Sequence, residues 1–336
     1  MKAAVLRNIK EPLAIESDYP DPVVGEGEVV VQIKAAALNR RDLWIQQGQY
    51  ARIKTPCILG SDGSGIVVEV GPNVSKEWIG KEVVINPSFN WGENPRYQSR
   101  QYEILGMPRN GTFAEYCLVP ESQIVLKPEN FYFEEAAALP LAGLTAYRAL
   151  FTRGEFNPTE PLFINGIGSG VALFVFEFAL HFGTEIWVSS SSEEKREFAL
   201  NMGASGAIDY RDPEAFEMLA KQGTLFPLII DSGGGETFKH IAKIVSYGGR
   251  IVFFGATTGA WQAVPAPLLF WKQVDLRGTT MGTRQEFFQM IRFCSKMNIK
   301  PFIHEIYTLD QINEALGVMK ANQHMGKLVI SFEKGF

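Results

Sequence analysis

At 336 residues, with 46% apolar and 21% charged residues and a net charge of −5, the chain is long enough for two domains of about 150 residues, each with its own core. The mild acidity and the absence of a dense basic block exclude a nucleic-acid or anionic-membrane surface as its main business. Three scattered cysteines, Cys57, Cys117 and Cys294, exclude a disulfide framework and point to a reducing, cytoplasmic compartment.

The opening MKAAVLRNIK lacks the apolar core of a secretory leader. The longest greasy run, 171–182, is interrupted by Glu177 and is shorter than the ~20 residues a membrane span needs. In chain order, the β-branched segments 28–36, 63–70, 81–87 and 112–120, bounded by Gly, Pro or Asn, predict a compact, mostly β module. From about residue 160 the rhythm changes. Apolar runs at 161–165, 185–190, 206–210, 227–232, 249–255 and 274–280 alternate with candidate helices at 170–182, 193–202, 213–221, 236–246 and 284–297. That alternation predicts an α/β fold with a doubly wound, parallel, six-stranded sheet. A helix at 309–321 and a strand at 327–331 close the chain, and the tail is free to rejoin the first module.

The strongest chemical signal is PLFINGIGSGVALFVFEFAL (161–180), an apolar strand, a glycine turn and a helix. A pyrophosphate needs backbone N–H groups at a helix N-terminus with no side chains in the way. Gly166, Gly168, Ser169, Gly170 and Val171 are the expected dinucleotide contacts, although Val171 stands where the G-x-G-x-x-G pattern has its last glycine. The second strand ends in serines where an NAD site carries Asp or Glu for the ribose 2′-OH. Ser190 and Ser191 with Lys195 suit a 2′-phosphate instead, so the expected cofactor is NADPH. The same serines could serve merely to cap the helix that begins near Glu193.

With these segments go ALNRRD (37–42), ILGSDGSGIVVEVG (58–71), NGTFAEYCLVP (110–120), LPLAGLTAYRAL (139–150), GASGAIDYR (203–211), DSGGGETF (231–238), GGRIVFFG (248–255) and MGTRQEF (281–287). Together they resemble the medium-chain dehydrogenase/reductases, and within them the zinc-independent quinone oxidoreductase-like branch. The resemblance implies a GroES-like, mostly β catalytic domain over 1–123 and 299–336 around a Rossmann NADP-binding domain over 124–298. It also implies an active-site cleft between the domains and a homodimer or homotetramer, for which the apolar segment 251–270 offers a contact edge.

In the zinc alcohol dehydrogenases of the same superfamily, the three catalytic ligand places match Asn39, Ser61 and Leu141 here, and none of these is a usual zinc ligand. The segment matching their four-cysteine lobe, 86–111, contains no cysteine. The expectation is therefore no metal. Without a Lewis acid, the plausible work is hydride delivery to an acceptor that is already electron-poor, such as a quinone or an α,β-unsaturated carbonyl.

The resemblance also implies roles for individual residues. Asn39 is a candidate catalytic residue, with Asp42 nearby and more suited to orienting backbone. Tyr50 is a candidate cleft-lining residue or proton donor, and Trp44 a possible neighbour. Thr145, Tyr210, Phe254, Gly255, Ala256 and Met281 are candidate cofactor contacts, with Gly282 beside Met281. His181, His240, His304 and His324 read as structural, and Cys57 as a weak nucleophile candidate. The expected partner is a small-molecule substrate, not nucleic acid or membrane. Rival readings are an enoyl-thioester or aldehyde/alcohol oxidoreductase, with Arg40, Arg41, Arg52 and Lys54 as cations for a CoA group, or a crystallin-like protein that binds NADPH without turnover.

Overall fold

A computed structural model describes residues 1–261 and 263–333. The chain divides into two compact units, Met1–Leu144 together with the chain from Gly282 onward, and Thr145–Met281.

The first unit is built around the ten-residue strand Glu28–Ala37. It pairs antiparallel with Asp62–Val70 along one side, and along the other with Tyr116–Pro120 and Lys327–Ser331. Two register shifts against Asp62–Val70, at Val30/Val31 and Ile33/Ala35, bend the sheet. The alternation of the sequence sets its faces. Val29, Val31 and Ile33 enter a core with Val67, Val83, Ile85 and Val119. Ala35, Ala37 and Val329 face the other way and meet Ala137 and Ala138 of the helix Phe133–Ala138, where small residues allow close approach.

The expected strands 28–36, 63–70, 81–87 and 112–120 appear as Glu28–Ala37, Asp62–Val70, Glu82–Ile85 and Tyr116–Pro120. The tail does rejoin the first sheet, Val329 lying opposite Ala37. Between them Ile303–Tyr307 forms a strand that sequence reading passed over. Its residues IHEIY carry two polar side chains and are exposed over most of their length, so no apolar period marks it.

The second unit holds six parallel strands in the spatial order Gly206–Ile208, Ile186–Ser189, Leu162–Asn165, Phe226–Asp231, Val245–Phe253 and Asp275–Gly278. Numbered along the chain, that order is 3-2-1-4-5-6, the doubly wound dinucleotide-binding arrangement. Helix Gly170–Leu180 is apolar except for Glu177 and is buried over most of its surface. Pro213–Lys221 is amphipathic instead: Asp212 caps it, Pro213 opens it, and Phe216 and Leu219 face the core. Shortly before the edge strand in the chain, Phe270 and Trp271 are exposed by 69% and 71%. Within the segment 251–270, Gln262 lies outside the described residues.

Candidate functional site

In the second unit the site forms at the carboxyl ends of the parallel strands, where strands one and four diverge to opposite halves of the sheet. Gly166 and Gly168 have φ of +88° and +116°, conformations that favour glycine. A Cβ on Gly166 would lie 2.8 Å from Ser232 Oγ, and one on Gly168 would lie 2.6 Å from Lys195 Cδ. Ser169 then caps helix Gly170–Leu180, its Oγ accepting from Ala172 N at 3.3 Å. Val171 is only half-buried, whereas Ala172 is fully buried. The need for a small residue against the sheet therefore falls one position later than in the glycine pattern.

The turn is pinned from both sides. Ile167 N donates to Ser189 O at 2.8 Å. Ser189 Oγ donates to Asn165 Oδ1 at 2.6 Å, and Asn165 Nδ2 donates to Asp231 Oδ1 at 2.8 Å. Asp231 also accepts from Gly233 N at 2.9 Å, and burial pushes its carboxyl upward. The Thr257 and Thr258 hydroxyls donate to Ser232 O and Gly233 O at 3.1 and 3.0 Å, tying the loop that follows Phe254, Gly255 and Ala256 to the fourth strand. Thr145 Oγ1 lies 3.9 Å from Met281 Sδ, both residues buried. The glycine cradle fits a pyrophosphate: it offers backbone N–H groups at the N-terminus of an 11-residue helix, with no side chain at two of its turns.

The serine run divides its labour. Ser192 caps helix Glu193–Asn201, accepting from Lys195 N at 3.3 Å. Ser191 does not cap: its Oγ accepts from Tyr210 Oη at 3.0 Å, which brings together two of the expected cofactor residues. Ser190 is buried, its Oγ accepting from Ser192 N at 3.2 Å and its carbonyl from Arg196 Nη1 at 2.6 Å. The Lys195 side chain lies against Gly168. Sequence reasoning missed Arg196, Asp209 and Arg211 on the same rim. The readable signal was GAIDYRD, whose strand must lie beside the serine-ended one in a doubly wound sheet.

In the first unit, the strand Glu28–Ala37 delivers Asn39 to the start of helix Arg40–Gln46. Asp42 Oδ2 accepts from Asn39 N at 2.8 Å and Oδ1 from Gly60 N at 3.3 Å, so this carboxyl orients backbone. Burial pushes it up to about 6. The Asn39 side chain turns elsewhere. Its Nδ2 donates to Asp62 Oδ2 at 2.9 Å, and its Oδ1 accepts from Lys327 Nζ at 2.7 Å. Lys327 Nζ also donates to Asp62 Oδ2 at 2.9 Å, and Leu141 N donates to Asp62 Oδ1 at 2.8 Å. Ser61 Oγ donates to Leu105 O at 2.8 Å.

Asn39, Ser61 and Leu141 thus supply an amide, a hydroxyl and a backbone N–H, and the one carboxylate bonded to Asn39 and Leu141, Asp62, is already paired with the Lys327 ammonium. That set does not fit zinc, which wants thiolate, imidazole or carboxylate. Among the described residues, no group of three His, Cys, Asp or Glu could hold a metal ion. Asp62 and Lys327 escaped sequence reading, because a single Asp in SDG and a single Lys opening a buried strand carry no pattern of their own.

Arg41 is not a surface cation for a CoA group: it is 6% exposed, and its guanidinium donates to Ser61 Oγ and to the carbonyls of Leu105, Ile104 and Met107. Its Cζ also stands 5.0 Å over the Tyr50 ring, which packs on the core of the unit. Arg40 is engaged with Met319 O and Asn322 Oδ1. Burial pushes the Cys57 thiol up to about 11, which removes it as a ready nucleophile. The segment 86–111 is held by the strand pair Ser88–Phe89 and Glu103–Ile104 and by an edge-on contact of Trp91 with Tyr102 at 5.5 Å.

Comparison with known proteins agrees with this architecture. Residues 25–129 match the alcohol dehydrogenase GroES-like domain, and residues 170–296 match the zinc-binding dehydrogenase family. A zinc-type alcohol dehydrogenase-like protein, YogA, of Leptosphaeria maculans is 35% identical over 92% of this chain and 92% of its own. A quinone oxidoreductase-like protein 2 of Bos taurus is 30% identical over 99% of this chain and 93% of its own. The crystal structure of an NAD-dependent alcohol dehydrogenase superposes with a TM-score of 0.92 at 32% identity, covering 99% of this chain and 100% of that one. These likenesses define an oxidoreductase of the pyridine-nucleotide dehydrogenase type. The chain belongs to the medium-chain dehydrogenase/reductase superfamily, in which its relatives include both alcohol dehydrogenases and quinone oxidoreductase-like proteins.

Proposed function

We propose that the protein is a zinc-independent, NADPH-dependent reductase whose acceptor is an electron-poor small molecule, a quinone or an α,β-unsaturated carbonyl. The observation that carries the zinc-free part is the Lys327 ammonium bonded to Asn39 and Asp62, with Asn39 itself at a ligand place of the metal enzymes. A divalent cation placed there would meet a fixed positive charge and no anionic sulfur. The spare carboxylate, Asp62, is already compensated.

The nucleotide-binding domain of this reading spans 124–298, and the catalytic domain spans 1–123 and 299–336. The nicotinamide supplies a hydride when the cofactor is bound. Everything else falls to the chain. Gly166, Gly168, Ser169, Gly170 and Val171 form the pyrophosphate cradle. Ser190, Ser191, Lys195 and Tyr210 form the rim that receives the 2′-phosphate, with no carboxylate ending the second strand. Thr145, Phe254, Gly255, Ala256 and Met281 hold the nicotinamide end. Asn39 orients the acceptor oxygen or the cofactor ribose, and Tyr50 lines the acceptor site, with a proton reaching the product from its phenol or from water.

The engagement of Arg41 and Arg40 within the fold disfavours the enoyl-CoA alternative, because two of its four proposed cations are spent. Exposed Phe270 and Trp271, together with the edge position of strand Asp275–Gly278 in its sheet, support a homo-oligomer. No helix is long and apolar enough to cross a membrane among the described residues, and three buried free cysteines suit a reducing, cytoplasmic setting.

The test is a set of steady-state rates with a quinone, an alkenal, an enoyl-CoA and a simple aldehyde at equal NADPH. Turnover highest with the quinone or alkenal is expected. A clear preference for the aldehyde or thioester contradicts the proposal, as does NADPH binding without oxidation across the whole set.

A further inference from the structure

The serine-ended second strand and the short third strand of the nucleotide-binding unit leave the sheet side by side. Ser189 pairs with Ile208, and Ser190 N donates to Ile208 O at 3.0 Å. The two chain segments that follow therefore share one rim, and that rim carries two guanidinium groups around a single carboxylate. Arg211 Nε lies 3.0 and 3.2 Å from the two oxygens of Asp209, and its Nη2 lies 2.5 Å from Asp209 Oδ2. The same Nη2 donates to Ser191 O at 2.9 Å. Arg196 Nη1 stands 3.5 Å from Asp209 Oδ2 while donating to Ser190 O. Tyr210, between Asp209 and Arg211 in the chain, donates to Ser191 Oγ.

We propose that Asp209 is a specificity-determining residue of this rim, an internal anion that occupies Arg211 and Arg196 and that the 2′-phosphate of the dinucleotide must displace. The inference rests on the NADPH reading above and adds to it both the cations that do the binding and the carboxylate that opposes it.

The chemistry is a competition between like acceptors. A guanidinium fork offers parallel N–H donors that suit a carboxylate and a phosphate equally in shape, and the phosphate carries more charge. Exchange is easy, because the pair is open to water: the Arg211 and Asp209 side chains are 64% and 23% exposed. A solvated ion pair of this kind holds its partners weakly. The backbone carbonyls of Ser190 and Ser191 keep both guanidiniums on the rim after Asp209 lets go.

Asp209 does not stand aside by taking up a proton. The hydrogen bond from Arg211 holds its carboxyl below the usual range, so it stays charged and keeps repelling the incoming phosphate. The rim therefore binds the 2′-phosphate less tightly than two arginines, a lysine, two serines and a phenol would if Asp209 were uncharged. Its grip on the rest of the nucleotide is untouched, since the side chains nearest Gly166 and Gly168 of the pyrophosphate cradle are Ser232 and Lys195, not Asp209 or Arg211.

The experiment is calorimetric titration of the full-length protein with 2′,5′-ADP and with 5′-AMP, which differ only in the 2′-phosphate, at one fixed ionic strength. Asp209→Asn is expected to tighten 2′,5′-ADP binding by about tenfold and to leave 5′-AMP within about twofold. Arg211→Ala is expected to weaken 2′,5′-ADP by about tenfold, again with little change for 5′-AMP. Both side chains are solvent-accessible, and matching melting curves will show that the variants fold.

Asp209→Asn that leaves 2′,5′-ADP binding unchanged or weaker, or that shifts both ligands equally, overturns the inference. The cofactor reading is judged separately by the wild-type protein. If wild type binds both ligands alike while Asp209→Asn creates a preference for 2′,5′-ADP, the NADPH assignment falls and the competing role of Asp209 stands. If wild type prefers 2′,5′-ADP and Asp209→Asn changes nothing, the reverse holds.

Discussion

Lys327 Nζ lies 2.9 Å from Asp62 Oδ2, and the two side chains are 3% and 0% exposed. A buried ion pair is stable only when its remaining hydrogen-bonding capacity is met. Here Asn39 and the Leu141 N–H meet it. The arrangement also fixes the Asn39 amide: its oxygen faces an ammonium and its nitrogen a carboxylate, so a flip would set like against like.

Removing one partner should therefore be costly. Lys327→Met leaves Asp62 charged, buried and short of its cation, and is expected to destabilise the protein by about 3–5 kcal/mol. Lys327→Met combined with Asp62→Asn should recover part of that loss. Urea denaturation of the two single variants and the double variant measures the coupling, and strict additivity would count against it.

Burial raises Glu177 from an ordinary 4.5 to about 8. A carboxyl whose folded value is raised binds its proton more tightly in the native state. The contribution of Glu177 to stability is therefore greatest below the unfolded value and is lost as pH rises between 4.5 and about 8. Asp42, raised from 3.8 to about 6, adds a shallower fall over its own lower window. Glu177→Gln should flatten the upper part of the curve and raise the melting temperature at pH 9 relative to wild type. Melting curves from about pH 5 to 9 test this.

At the cradle, Gly168→Ala adds a Cβ 2.6 Å from Lys195 Cδ at a φ of +116°. The Lys195 chain can yield, but the backbone conformation cannot be kept without strain. Weakening of NADPH binding by about ten- to hundredfold is expected, with the fold intact. Titration of protein fluorescence with NADPH, alongside circular dichroism, separates lost binding from lost folding.

Much of this was legible in the sequence, and what was not has physical reasons. The central strands Leu162–Asn165, Ile186–Ser189 and Phe226–Asp231 are short apolar runs between turn residues and were legible as such, whereas the edge strand Asp275–Gly278, DLRG and largely exposed, was placed only by its spacing in the strand–helix alternation. The glycine turn at Gly166–Gly168 was readable because a backbone with positive φ favours glycine there. The strand Ile303–Tyr307 was not, since its exposed edge position leaves it without an apolar face. Lys327 and Asp62 were missed for another reason: their partners lie far away in sequence, and no local pattern encodes such a pairing. Arg41 misled because a cation in a polar stretch reads as surface, whereas here four acceptors draw it inward.

Reduction without zinc is tested most directly by turnover in metal-free protein. Chelator-treated protein, with zinc measured in the same sample by mass spectrometry, is assayed with NADPH and a quinone and again after zinc is added back. Undiminished turnover at far below one zinc per chain, with no gain on adding zinc, is the expected result. Stoichiometric zinc in freshly purified protein, or activity that vanishes on chelation and returns with zinc, would contradict it.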